Sequence, residues 1–140
     1  MLSETAFFFI TMEIIKEIYV LIILSFVVAS IAWTVTQEAI FGEWREYCGA
    51  RSANSKNILV RKFFYVWTCE YCFSHWVTLA LIALSGFRLL IDDWRGYVIA
   101  FFVLPWIANQ WMSLYRRLRV DIKQENAIAE KIEAQNEKSQ

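Results

Sequence analysis

Three side chains that bind soft metals lie within seven consecutive residues of this sequence. Cys69 and Cys72 are separated by two residues, and two more residues separate Cys72 from His75, the only histidine of the chain. The remaining cysteine is Cys48, and the small polar residues that follow it allow the chain to turn back. Three thiolates and one imidazole match a closed, tetrahedral zinc site. We therefore expect Cys48, Cys69, Cys72 and His75 to hold a structural zinc ion.

Two other interpretations of these cysteines stay open at the level of sequence. A C-x-x-C pair at the start of a helix can also be a redox dithiol, although only Cys48 remains as a second thiol partner. Alternatively, Cys69 and Cys72 are small apolar residues that pack against neighbouring helices.

The run from Thr68 to Val77, TCEYCFSHWV, resembles the signature of a family of small bacterial and phage membrane proteins. The family is known as "domain of unknown function thirteen-sixty", and its C-P-Y-C-x-S-H-W-type motif opens a transmembrane helix. The similarity covers roughly residues 29–90, with Glu38 and Arg45 as counterparts of an upstream acidic residue and arginine. The chain has Glu70 where the family usually has proline, so the fixed φ angle of the turn is missing. The resemblance implies a membrane protein with paired cysteines and supplies no reaction.

The elements that must position these residues are strongly apolar. Of the 140 residues, 58% are hydrophobic and 17% aromatic, against roughly 45–50% apolar residues in a soluble domain. Fourteen basic and fourteen acidic residues cancel, so no bulk positive charge is available to bind nucleic acid. Three cysteines are too few for a disulfide scaffold. The composition therefore excludes most soluble enzymes and indicates a lipid-embedded chain.

Mostly apolar segments predict an all-α membrane domain, residues 1–140, with three transmembrane helices. A crossing helix needs about 20 mostly apolar residues, and such segments cover about residues 18–37, 73–91 and 96–115. Residues 38–70 are predicted to form an interfacial loop that folds back, and residues 116–140 a charged C-terminal helix. That helix is either solvated or a coiled-coil seam through Leu118, Ile122, Ala129 and Ile132.

Aromatic and amide side chains mark the expected depth of these segments. Aromatic residues are typical of the membrane interface, and those predicted to lie there are Trp44, Phe63, Phe64, Tyr65, Trp67 and Trp94. Asn109 and Gln110 fall inside the third segment. Because amides within the membrane usually bond to a neighbouring helix, we expect interhelical hydrogen bonds from both.

The distribution of Lys and Arg predicts the orientation. With three crossings, one side carries Lys16, Arg88 and Arg95, and the other side carries the remaining eleven basic residues. Basic residues collect on the cytoplasmic side. We therefore expect a multi-pass inner-membrane protein with the N-terminus outside, and with the interfacial loop and the C-terminus in the cytoplasm.

The function expected from these features is that of a small, non-enzymatic interaction or regulatory protein, phage-encoded in one interpretation. Its partners would be the bilayer and a protein that contacts the cytoplasmic loop and tail, and self-association stays open. One alternative is a holin-like phage protein that permeabilises the membrane, because three spans and a short charged tail also suit that class. A second alternative is a membrane thiol oxidoreductase that uses the C-x-x-C pair.

Overall fold

The computed structural model describes residues 2–138, and helices are the only regular secondary structure in that range; Met1, Ser139 and Gln140, the ends of the predicted domain, lie outside it. The helices are α1 (Leu2–Gln37), α2 (Gly42–Asn54), α3 (Ile58–Val66), α4 (Glu70–Ser85) and α5 (Trp94–Lys138), and a 3-10 turn, Ala39–Phe41, joins α1 to α2. The predicted all-α class is confirmed.

Helices α1, α4 and α5 pack against one another as a three-helix bundle. Trp111 of α5 stacks on Phe26 of α1, and further along both helices the Tyr115 ring meets Trp33 edge to face. From the first contact to the second, the residue numbers increase in both helices, so α1 and α5 run parallel. Helix α4 runs in the opposite direction between them, from Glu70, beside the end of α1, to Ser85.

The core of the bundle consists of two apolar clusters, and four of their ten buried residues are alanines. The first cluster joins Val28 and Ala32 of α1 to Ala108 and Met112 of α5. The second joins Ile82, Leu89, Ala100 and Leu104. Alanine at a helix contact allows two backbones to approach closely, which is how helices associate where lipid removes the usual hydrophobic driving force.

Two of the helices are long and apolar enough to cross a membrane, within Ala6–Gln37 and Trp94–Gln135. In the most apolar 18-residue stretch of each helix, only 22% and 28% of the stretch is buried in the structure. A core helix of a soluble protein is buried on at least one face. Large side chains such as Phe7 and Phe9 are 73% and 69% exposed. The surface of the bundle is therefore apolar on most sides.

Helix α4 is shorter than the predicted middle segment, residues 73–91. It begins at Glu70 and ends at Ser85, because Gly86 adopts a left-handed conformation with φ 63° and donates its N–H to the Ile82 carbonyl. Glycine at this position is the common way to end a helix. Residues 86–93 therefore form a loop rather than the last turns of a transmembrane helix.

The loop packs tightly on the start of α5. Leu89 is buried and donates its N–H to the Gly96 carbonyl at 3.3 Å, while Gly96 donates to the Asp93 carbonyl at 2.9 Å. A Cβ at position 96 would lie 2.1 Å from the Ile91 carbonyl oxygen. Leu90 has a φ of 65°, a conformation that costs about 1–2 kcal/mol for a residue with a Cβ.

The other two long helices exceed their predicted segments. α1 begins at Leu2 rather than near residue 18, and α5 joins the predicted span 96–115 and the described part of the predicted tail in one helix that contains the buried Pro105. The predicted boundary at residue 116 marks a change from apolar to charged side chains, and the backbone passes through it without interruption.

Helices α2 and α3 form a hairpin, residues 42–66, that replaces the predicted loop. Asn57 caps α3 by accepting a hydrogen bond from the Leu59 N–H at 3.0 Å. The Ser52 hydroxyl donates to the Arg61 carbonyl at 2.9 Å and so ties the two helices together. Most of the small polar residues after Cys48, which were expected to turn the chain back, are helical in the structure, because α2 continues to Asn54.

Candidate functional site

Cys69 and Cys72 lie together at the start of α4. Cys69 is the N-cap residue with an extended backbone, φ −106° and ψ 111°, and its Sγ accepts a hydrogen bond from the Cys72 N–H at 3.4 Å. The Cys69 carbonyl accepts the first helical bond, from the Phe73 N–H at 2.9 Å. The position that Ser, Thr, Asp or Asn usually takes at a helix start is therefore occupied by a thiol.

The two thiols have different surroundings within this turn. Cys69 precedes the helix, whereas Cys72 lies inside its first turn, and both side chains are partly buried. Lys62 of α3 is the positively charged side chain close to Cys72.

Cys48 lies in α2 and is fully buried. Desolvation raises the pKa of its thiol. Its helix packs on α3 rather than on α4, so α2 and α3 form a hairpin that is held together by its own side chains.

His75 lies one turn further along α4 and faces α5. Its Nδ1 is 2.8 Å from the Tyr71 carbonyl oxygen, and its ring packs edge to face on Phe101, with ring centroids 5.3 Å apart. The imidazole is thus part of an aromatic contact between α4 and α5.

The structure therefore brings together two of the four predicted zinc ligands. Across the part of the chain that the structure describes, no three His, Cys, Asp or Glu side chains form a group that could hold a metal ion. Cys48 sits in the hairpin, and His75 is turned toward α5. The Cys3His zinc site stays a prediction.

A network of charged side chains joins the helices at the end of the bundle where α1 ends and α4 begins, called here the Glu38 end. The Glu38 carboxylate accepts hydrogen bonds from the Trp33 indole and from Arg119 of α5, both at 2.9 Å. Glu70 of α4 accepts from Gln37 of α1 and pairs with Arg116 of α5. Three helices are thus linked through two carboxylates.

Arg45 of α2 attaches the hairpin to this network. Its guanidinium donates to the Glu38 carbonyl at 2.6 Å and to the Val35 carbonyl at 3.2 Å. Carbonyls at the end of a helix lack intrahelical partners, and an arginine there also suits the negative end of the helix dipole. Arg45 therefore caps α1 from outside its own helix.

The hydrogen bond from Trp33 is the largest influence on the Glu38 carboxyl group and lowers its pKa, and the charge of Arg119 adds to the effect. Sequence reasoning singled out Glu38 and Arg45 only through the family resemblance. Arg116 and Arg119, which bind the Glu70 and Glu38 carboxylates, could be recognised in the sequence only as basic residues that follow an apolar segment.

The predicted interface residues divide between the two ends of the bundle. Five of them lie in or next to the hairpin, where Trp44 meets Trp67 edge to face with ring centroids 5.7 Å apart. Phe63 and Tyr65 are more than half exposed. Trp94 begins α5 at the opposite end, called here the Asp92 end, and is 64% exposed.

Of the two predicted interhelical amides, Asn109 is half-buried and Gln110 is exposed. The next residue, Trp111, provides an interhelical hydrogen bond from its indole Nε1 to the Ser25 hydroxyl at 3.1 Å. A cavity of about 470 Å³ lies beside this contact, with Ala29, Trp33 and Met112 in its wall.

Comparison with known proteins adds no relative: no family model matches this chain, and no curated protein and no solved structure is significantly similar to it. The resemblance carried by the motif from Cys69 to Trp76 accordingly stays a prediction.

Proposed function

We propose that this chain is a small, non-enzymatic inner-membrane protein that crosses the bilayer three times and displays the α2–α3 hairpin in the cytoplasm. The parallel packing of α1 and α5 supports three crossings. Two parallel helices that both cross a bilayer require the chain between them to return, and α4 is the antiparallel element of that connection.

The length of α4 is compatible with this role only together with the loop that follows it. Sixteen residues at about 1.5 Å per residue extend about 24 Å, less than the hydrocarbon core of about 30 Å. Non-helical backbone is tolerated at membrane depth where protein covers it. Leu89 meets this condition, because it is buried and its N–H bonds to Gly96, whereas the largely exposed remainder of residues 86–93 has to lie at the membrane interface.

The orientation follows from the basic residues. The Asp92 end and the segment before residue 18 carry three of the fourteen Lys and Arg residues, and the hairpin and the charged half of α5 carry eleven. Positive residues are retained in the cytoplasm. The Glu38 end would therefore face the cytoplasm.

The observation that carries the functional proposal is the composition of the hairpin surface. Ile58, Leu59 and Phe63 are 62%, 79% and 58% exposed on α3, and Arg61 and Lys62 lie between them in sequence. An amphipathic helix of this kind lies in the headgroup layer and binds anionic lipid. We assign the hairpin the task of docking on the inner leaflet.

The charged half of α5, Arg116–Lys138, is the second displayed element. Its described side chains are nearly all exposed, and at about 1.5 Å per residue it would extend about 34 Å beyond the apolar segment. Beyond Arg119 its described side chains are exposed, whereas in proteins most helical stability comes from packing against another element. We propose that a protein partner, or a second copy of the chain, contacts this half-helix.

Hydrogen–deuterium exchange in nanodiscs tests the hairpin assignment. We expect amides of residues 42–66 to exchange more slowly in discs that contain phosphatidylglycerol than in discs of phosphatidylcholine alone. The double variant Arg61→Glu, Lys62→Glu should lose that difference. Glu130→Lys, Glu133→Lys in the exposed half of α5 is the matched control and should retain it. Equal exchange of the wild-type hairpin in both lipids would refute inner-leaflet docking.

A further inference from the structure

We infer that Cys69 and Cys72 form a thiol–disulfide exchange site, which a low-molecular-weight disulfide oxidises to an intramolecular disulfide. The turn geometry carries this assignment. Cysteines three residues apart inside a regular helix have Cβ atoms about 5–6 Å apart, too far for the Cβ separation of about 3.5–4.5 Å in a disulfide. Cys69 precedes the helix with an extended backbone, and its Sγ already lies over the first turn, 3.4 Å from the Cys72 nitrogen.

The same geometry assigns different roles to the two residues. Cys69 precedes the helix, and its Sγ accepts a hydrogen bond from the Cys72 N–H at 3.4 Å, so a backbone donor is already in place at this sulfur. Cys72 is inside the first turn. Cys69 is therefore the attacking residue, and Cys72 resolves the intermediate.

The exchange requires no component besides the disulfide. The Cys69 thiolate attacks one sulfur of R–S–S–R, so that a Cys69–S–S–R bond forms, the S–S bond of the reagent breaks, and RS⁻ leaves with the electron pair. The Cys72 thiol then gives up its proton to solvent and attacks Cys69 Sγ, which releases the second RS⁻. The protein loses two electrons, the disulfide R–S–S–R gains them, and excess thiol reverses both steps.

A largely apolar cavity lies next to the cysteine turn. It has a volume of about 370 Å³ and is lined by Lys62, Val66 and Trp67 of the α3 end and by Phe73 and Trp76 of α4. The Cys69 N–H bonds to the Val66 carbonyl, so the cysteine turn adjoins the cavity wall. Lys62 is the charged residue of this otherwise apolar and aromatic wall.

The test exposes the detergent-solubilised full chain to mixtures of oxidised and reduced glutathione and maps the products by mass spectrometry. The first glutathione adduct is expected on Cys69, followed by a Cys69–Cys72 disulfide, while Cys48 stays a free thiol. Cys72→Ser should accumulate the Cys69 adduct at least tenfold above the wild-type level. Cys69→Ser should form the corresponding adduct on Cys72 at least tenfold more slowly.

Cys48→Ser serves as the matched control and should behave as the wild type. A first adduct on Cys72 in the wild-type time course, or no disulfide at any glutathione ratio, would overturn the assignment. One zinc ion per chain that protects both thiols would overturn it as well. Neither a bilayer nor a partner is needed for this chemistry, so its outcome is separate from that of the exchange experiment on the hairpin.

Discussion

Ser25 and Thr78 are both fully buried in the bundle, but their hydroxyl groups are in different situations. The Ser25 hydroxyl accepts from the Trp111 indole and donates to the Ile22 carbonyl at 2.7 Å. The Thr78 Oγ1 has no hydrogen-bond partner among the described residues. Because a buried polar group without a partner costs free energy, these two positions should respond to substitution in opposite ways.

Thr78→Val removes the unpaired hydroxyl and keeps the shape of the side chain. We expect the free energy of unfolding in detergent to rise by about 1 kcal/mol. Ser25→Ala is the matched variant and should lower it by about the same amount, since the Trp111 indole loses its acceptor. Thermal unfolding followed by circular dichroism measures both, and equal losses in the two variants would contradict the expectation.

Glu38 makes the Glu38 end sensitive to acid. The hydrogen bond from Trp33, together with Arg119, lowers the pKa of Glu38 in the folded chain below its ordinary value of 4.5. A carboxyl group with a lowered pKa stabilises the fold above the ordinary value, and that contribution disappears as the pH falls through the lowered value. The thermal-unfolding midpoint of the wild type should therefore exceed that of Glu38→Gln by a constant amount near neutral pH. This difference should shrink as the pH falls below 4.5.

Glu43→Gln is the control for this acid profile. Glu43 is exposed at the start of α2 and makes no side-chain hydrogen bond or ion pair in the described range. If the difference in unfolding midpoint between wild type and Glu38→Gln persists unchanged at low pH, the lower stability of the variant is due to lost packing rather than to lost charge.

At the scale of helices, the sequence predicted the apolar segments well and their ends poorly. Charge counting located the cores of α1 and α5, because charged side chains are costly in lipid. The predicted middle segment extended beyond the C-terminus of α4, because Phe87, Leu89 and Ile91 are as apolar as the helical residues before them. The one residue that indicated the end of the helix was Gly86. Helix ends depend on one residue's conformation, whereas apolar character is averaged over many.

The candidate site shows the same division between local and distant information. The Cys69–Cys72 pair was evident from spacing, because both residues belong to one turn. The placement of Cys48 and His75 depends on how α2 packs on α3 and how α4 is rotated toward α5. Neither packing relation is encoded in the spacing of the ligands, so the proximity of all four could not be established from the sequence.

The contact between the loop and α5 gives a sharp prediction for one element junction. Gly96→Ala would place a Cβ 2.1 Å from the Ile91 carbonyl oxygen, and backbone atoms cannot yield as a flexible side chain can. We expect a loss of about 2 kcal/mol or more in the free energy of unfolding. Gly49→Ala, inside α2 with no atom within 4 Å of the new Cβ, should be neutral or gain up to about 1 kcal/mol.

At the scale of the whole molecule, the parallel arrangement of α1 and α5 makes the proposed topology testable at two positions. Asp92 and Asn54 are both exposed, the first in the loop at the Asp92 end and the second at the tip of the hairpin. Three crossings place them on opposite sides of the membrane.

In a Cys69→Ser, Cys72→Ser background, Asp92→Cys should react with an impermeant maleimide on intact cells. Asn54→Cys should react only after the membrane is permeabilised, because the proposed topology places the hairpin on the cytoplasmic side with the eleven basic residues. Labelling of both positions from the same side would mean that α4 does not cross the bilayer, and the parallel pair α1 and α5 could then not both be embedded in it.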